Sequence, residues 1–139
     1  MTITATFQCG ACENVAATVY LVDPGDPDPR LVPEPTGVPP GISTIFSAQG
    51  PQLSIAGGPL SVTHGLSVTH ATEELAAALE RVDADALYRI DSEYAPFWCP
   101  TCCLAYCRDH FISWPTFDDG FYDATYGICA QGHRRKLDD

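Results

Sequence analysis

Eight residues of this chain have the chemistry and the spacing to hold metal ions: Cys9, Cys12, Cys99, Cys102, Cys107, His110, Cys129 and His133. They fall into four pairs. Cys9-Gly10-Ala11-Cys12 and Cys99-Pro100-Thr101-Cys102 read C-x2-C, Cys107-Arg108-Asp109-His110 reads C-x2-H, and Cys129-Ala130-Gln131-Gly132-His133 reads C-x3-H. Thiolate and imidazole are the usual ligands of tetrahedral zinc, and a knuckle turn brings two ligands spaced in this way to one side. Backbone N–H groups in such a turn point at the sulfurs and help to hold their charge. Four pairs suffice for two Zn2+ ions with four ligands each. Six of the seven cysteines are absorbed by them. The seventh, Cys103, directly follows a knuckle cysteine, where many knuckles place glycine because the backbone is left-handed. It is expected to be a reduced, packed non-ligand.

Residue spacing alone leaves the sharing of ions open. Sequential pairing groups Cys9, Cys12, Cys99 and Cys102. Local pairing groups Cys99, Cys102, Cys107 and His110. Interleaved pairing joins the first pair to the third and the second to the fourth. A catalytic zinc site keeps one position for water, whereas eight ligands fill two sites completely, so structural zinc and no catalytic residue are expected. The chain has no H-E-x-x-H, no Gly-rich phosphate loop and no Ser/His/Asp order. Asp118, Asp119 and Asp123 have the chemistry for a hard cation, but an acidic turn on a solvated surface explains them equally. Ser61-Val62-Thr63-His64 recurs as Ser67-Val68-Thr69-His70, and both histidines read as ordinary polar strand positions.

The elements that must position these ligands follow from patterning. Thr2–Phe7 alternates like a strand and leads into the first pair, and 15–22 is a second strand candidate. Residues 23–41 carry seven prolines and form an exposed extended or polyproline loop. Runs at 42–48, 52–56, 60–63 and 66–69, punctuated by Gly and Pro, suggest an antiparallel meander. Thr72 is an N-cap candidate, Glu73 and Glu74 suit a helix N-terminus, and Leu75, Leu79 and Val82 recur at helical spacing, which predicts a helix over about 73–82. Residues 86–90 read as a strand or a short helical turn. Asp119-Gly120 signals a turn in the aromatic, acidic stretch after His110. The expected fold class is α+β within one domain, 1–139. In it a zinc module (1–12 and 95–139) receives a β-rich insertion (13–94) with one main helix.

A formal charge of −11 disfavours nucleic acid and anionic membranes as partners. The basic cluster Arg134-Arg135-Lys136 is followed by Asp138 and Asp139 and reads as a solvated tail. Met1–Phe7 lacks the basic start and apolar run of a secretion signal, and no segment approaches a membrane span, so the expected localisation is cytoplasmic. Seven cysteines without such a signal read as thiols or metal ligands.

The order C-x2-C, C-x2-C-x4-C-x2-H, C-x3-H resembles the FYVE, RING and related cross-brace zinc fingers of treble-clef type. The central spacing and Tyr106 just before the fifth ligand are FYVE-like, over about residues 5–15 and 95–135. The resemblance implies interleaved sites: Cys9, Cys12, Cys107 and His110 in one, and Cys99, Cys102, Cys129 and His133 in the other. It does not extend to the activities. Where FYVE domains carry basic residues for a phosphoinositide, this chain has Ala95, Pro96, Phe97 and Trp98, and the RING positions for Ile or Val and for proline hold Ala11 and Ala130-Gln131-Gly132. The expected function is therefore a non-enzymatic zinc scaffold for protein–protein interaction. Trp98, Trp114, Phe117, Phe121, Tyr122 and Tyr126 are the candidate contact residues. The alternatives are a RING-like ubiquitin-ligase component or a zinc hydrolase with an open site.

Overall fold

The computed structural model describes residues 2–23, 50–66 and 72–139. The proline-rich loop beyond Asp23, the run 42–48, and His70 lie outside them. The architecture is α+β, as the patterning implied, with antiparallel sheets and, among the described residues, two α-helices.

Four strands, β1 (Ile3–Gln8), β2 (Val15–Val22), β3 (Gln52–Gly57) and β4 (Val62–Gly65), pair in chain order as an antiparallel meander. Their register runs from Ile3 opposite Leu21, through Val19 opposite Ile55, to Ile55 opposite Val62. The strand leading to the first cysteine pair thus belongs to the same sheet as the segment expected to be inserted. Val19, Leu21, Leu53 and Ile55 are buried. Helix α1 (Thr72–Glu80) buries Leu75, Ala78 and Leu79 and packs on β1 and β2. Each such aliphatic side chain contributes about 1.5–3 kcal/mol when removed from water. Thr72 is the first helical residue, and α1 ends before Val82, whose φ of 54° is left-handed.

The next segment resolves the two alternatives for 86–90 in favour of helix. Ala84–Ile90 is a second helix, α2. Asp83 caps it by accepting from the Ala86 N–H at 3.0 Å, and Arg89 pairs with Asp85 one turn back at 2.7 Å. Asp91 closes it, and its carboxylate accepts from Glu93 N–H at 2.9 Å to open a 3-10 turn over Ser92–Tyr94. Caps of this kind are worth about 1 kcal/mol each, enough to define a helix too short to show periodicity.

A short hairpin, β5 (Trp98–Cys99) and β6 (Leu104–Ala105), precedes a three-stranded sheet of β7 (Phe111–Asp118), β8 (Phe121–Cys129) and β9 (Arg134–Asp138). The aromatic, acidic stretch is therefore a β-hairpin turning at Asp119-Gly120. Phe111 and Leu137 close over Gly127, where a Cβ would stand 2.6 Å from Phe111 Cε1 and 2.9 Å from Leu137 Cδ1. Phe97 stacks at a tilt on Phe7 with ring centroids 4.9 Å apart, joining the two halves of the core.

The basic cluster at 134–136 is not a solvated tail. It is the start of β9, and Arg135 turns inward to donate to the carbonyls of Ser92, Ala95 and Trp98 at 2.6, 2.8 and 2.7 Å. Its guanidinium also lies 5.0 Å from the Tyr88 ring centroid. One side chain thus ties β9 to the segment that enters the second cysteine pair.

Candidate metal centre

Each ligand pair sits where a strand gives way to a turn. β1 runs into Cys9 after an irregularity at Phe7/Gln8, and Cys9 N–H closes the turn on Asn14 O at 3.0 Å. Cys99 ends β5, and Cys103 N–H returns to Cys99 O at 2.9 Å. His110 N–H donates to Cys107 O at 2.9 Å. Cys129 ends β8, and Gly132, with φ +87°, turns the chain so that Cys129 N–H meets His133 O at 3.0 Å. Backbone N–H groups aim at sulfur as such turns require: Ala11 at Cys9, Cys102 at Cys99 and His133 at Cys129, each at 3.4 Å.

These turns bring the ligand atoms into two groups. Cys9, Cys12, Cys107 and His110 form one, and Cys99, Cys102, Cys129 and His133 the other, with all ligand atoms of a group within 4.8 Å of one another. The first pair thus meets the third and the second meets the fourth, so the grouping alternates along the chain. In both groups two members are buried and two partly buried.

The donor set can be tested against a metal. Bond lengths of about 2.3 Å to sulfur and about 2.0–2.1 Å to nitrogen give a tetrahedron with S–S edges of about 3.8 Å and S–N edges of about 3.6 Å. Cys12 and Cys107 Sγ are 3.7 Å apart, and Cys102 and Cys129 Sγ are 3.8 Å apart. In the first group His110 Nδ1 lies 3.8 and 3.2 Å from Cys9 and Cys107 Sγ. In the second His133 Nδ1 lies 3.6, 3.2 and 3.4 Å from Cys99, Cys102 and Cys129 Sγ. A disulfide needs about 2.05 Å, so these are not cystine contacts. Each group has the donors and the dimensions to hold one metal ion.

The thiols are not equivalent. Burial pulls Cys9 upward, but hydrogen bonds from the Cys107 and Ala11 backbone outweigh it and bring it down to about 6. Cys129 is likewise drawn up by burial and brought down to about 7 by the His133 and Gln131 backbone. At Cys99 burial wins and the thiol is pushed up to about 11. Metal binding requires thiolates, so the N–H groups at Cys9 and Cys129 favour the binding form.

Cys103 faces away from both groups, as its position after the knuckle implied. Its backbone is left-handed at φ 56°. It is exposed rather than packed, because that conformation turns its Sγ outward toward Pro100 O at 3.5 Å. His64 is a polar strand residue on β4: Nε2 contacts Glu93 O at 3.2 Å and the ring meets Tyr94 edge-on. Of the aromatic candidates, Phe117 and Phe121 at the β7–β8 tip are 65% and 78% exposed, and Tyr122 is exposed beside them. Trp114 and Tyr126 instead stack on each other and lie under the Arg134 guanidinium, 5.4 and 4.9 Å from their centroids. Sequence reasoning missed Arg135, since nothing local to it signals partners some forty residues back.

The model of a family described as a domain of unknown function, DUF8328, matches residues 1–139. The chain belongs to this family. No curated protein matches it, and no solved structure does. The matching family is neither FYVE nor RING, so the likeness to those fingers rests on ligand spacing. Among the described residues no helix is long and apolar enough to cross a membrane. The two Cys/His clusters suggest a zinc-binding structural role.

Proposed function

We propose that this protein is a non-enzymatic scaffold held by two structural zinc ions in interleaved, cross-brace fashion, which presents the β7–β8 hairpin to another protein. Cys9, Cys12, Cys107 and His110 would hold one ion, and Cys99, Cys102, Cys129 and His133 the other. The reading is carried by the sulfur and nitrogen separations of 3.2–3.8 Å within each group, which match the edges of a zinc tetrahedron. Zinc supplies no reaction here; it fixes the turns from which the ligands project. With four protein donors per ion no coordination position is left for a reacting water, which favours a scaffold over a hydrolase.

The surface half of the proposal draws on the hairpin tip. Phe117 and Phe121 stand in solvent there, and exposed aromatics are the commonest interface anchors. The overall charge of −11 makes nucleic acid and anionic membrane poor partners. The test has two arms. Elemental analysis of the purified chain should give two zinc ions per chain. A pull-down with wild type should retain a partner that a Phe117→Ala/Phe121→Ala variant loses while keeping both ions. Loss of metal and partner together would make the effect one of folding, and retention of the partner by the variant would remove the hairpin from the proposal.

A further inference from the structure

The outer face of the β7–β8–β9 sheet is apolar along its middle and oppositely charged at its two ends. Side chains alternate along a strand, and the buried Phe111 and Leu137 mark the inner face. Ile112, Trp114 and Thr116 are therefore on the outer face of β7, opposite Ile128, Tyr126 and Ala124 of β8. Arg134 of β9 follows on that face, opposite Ile128. At the far end Phe121 stands opposite Asp118. The register shift beside Thr116 leaves Asp123 as an extra residue of β8, and the Thr116 hydroxyl donates to its carboxylate at 3.5 Å on the outer side.

This face is open. Ile112 is 68% exposed, Ile128 37% and Phe121 78%, and none of the described residues covers them. Arg134 lies over the Trp114 and Tyr126 rings and has no carboxylate partner among the described residues, in a chain with 18 acidic side chains. Contiguous apolar surface rimmed by charge is the mark of an interaction site.

The arrangement is also self-complementary. A twofold axis parallel to the sheet and perpendicular to its strands, above the middle of β8, lays a second copy face to face with strands antiparallel. Phe121 and Ile128 are both on β8, so each Phe121 comes over the Ile112–Ile128 pair of the other copy without a sideways shift. The Arg134 end of each copy comes over the Asp123 end of the other. A partner of uniform charge would satisfy only one end of the face.

We propose that the outer face of this sheet is a self-association surface for a second copy of this chain. Phe121 of each copy packs on Ile112 and Ile128 of the other, and Arg134 meets Asp123 across the twofold axis. This goes beyond the docking role given to the hairpin tip. Of the two tip phenylalanines only Phe121 is on the outer face, and Phe117 pairs with Tyr122 on the other. The eight residues of β7 span about 27 Å and three strands about 14 Å, small against the roughly 800 Å2 per partner of a standard interface. The dimer is therefore weak and reversible.

The test is sedimentation velocity of the full chain across the micromolar range. Wild type should pass from monomer to dimer as concentration rises. Arg134→Glu and Asp123→Lys each bring like charges together at both ends of the dimer and should each weaken it about tenfold or more. Mixed in equal amounts, the two variants should form a heterodimer of near wild-type strength, because every contact again joins opposite charges. Only folded chains can do this, so the heterodimer also shows both variants to be intact. Wild type that stays monomeric throughout would overturn the proposal and leave the face to a different protein. A dimer indifferent to both reversals, or two folded variants that do not associate when mixed, would overturn it as well. Should either variant fail to fold, wild type decides alone, in an equal mixture of carbon-13-labelled and unlabelled chain. NOEs between the Phe121 ring of one copy and the Ile128 methyls of the other support the proposal, and their absence overturns it.

Discussion

The two Cys/His groups have the same ligand types, the same burial and closely similar internal distances, yet they fasten different things. The first joins residues 101 positions apart, Cys9 at the end of β1 and His110. It ties the sheet that buries Val19, Leu21, Leu53 and Ile55 to the C-terminal half, within one continuous core. The second lies wholly within 99–133. The three largest fully buried side chains, Tyr106, Phe97 and Phe111, lie there or beside it together with Leu137, and they continue the same core. Equal ligand sets therefore do unequal work. One cross-links the end of β1 to the turn after β6, the other fastens the turns that follow β5 and β8.

Four experiments probe that contrast. The largest effect is expected from chelating the two proposed zinc ions, since structural zinc contributes apparent free energies of about 10–16 kcal/mol to small domains. Amide-exchange protection should collapse across β5–β9 while β1–β4 and the helices keep a measurable part of theirs; uniform collapse would erase the distinction between the groups. Next, Cys99→Ser should lower stability by more than about 4 kcal/mol and release the second ion. Cys12→Ser should release the first ion, with protection in β7–β9 retained and a smaller drop in the denaturation midpoint.

Arg135→Met comes third. It removes the guanidinium from the carbonyls of Ser92, Ala95 and Trp98, of which Ala95 keeps the Trp98 N–H at 3.1 Å, and should lower unfolding free energy by about 3 kcal/mol with metal stoichiometry unchanged. A neutral result would mean that β9 is held by its ladder and Leu137 alone. The smallest effects belong to Cys103. Cys103→Ser should change stability by less than about 0.5 kcal/mol, and Cys103→Gly should raise it by about 1 kcal/mol by relieving the left-handed backbone. A large loss from either in thermal melts would show that the exposed thiol has a structural task.

What was legible in the sequence was whatever repeats locally. The spacing of the eight Cys/His residues, the alternation of β1 and β2 and the period of α1 were all readable within a dozen residues. The grouping into two sites was not derivable from spacing, and only the FYVE-like order of the pairs implied it. Helix α2 was ambiguous because seven residues show less than two full periods, and the caps at Asp83 and Asp91 carry it instead. Arg134-Arg135-Lys136 read as solvated because charge is the strongest local cue, whereas Arg135 finds its three carbonyls 37 to 43 residues earlier. Cys103 was assigned away from the ligands by knuckle geometry, but the left-handed turn that frees it from the metals also exposes it.

Native mass spectrometry of the purified chain, combined with thiol alkylation before and after chelation, decides whether the two groups are four-ligand structural metal centres. A mass increment of two zinc ions is expected. Before chelation a single alkylated cysteine, Cys103, is expected, and after chelation all seven. One ion or none, or rapid alkylation of any of the other six cysteines in the loaded protein, would contradict that assignment.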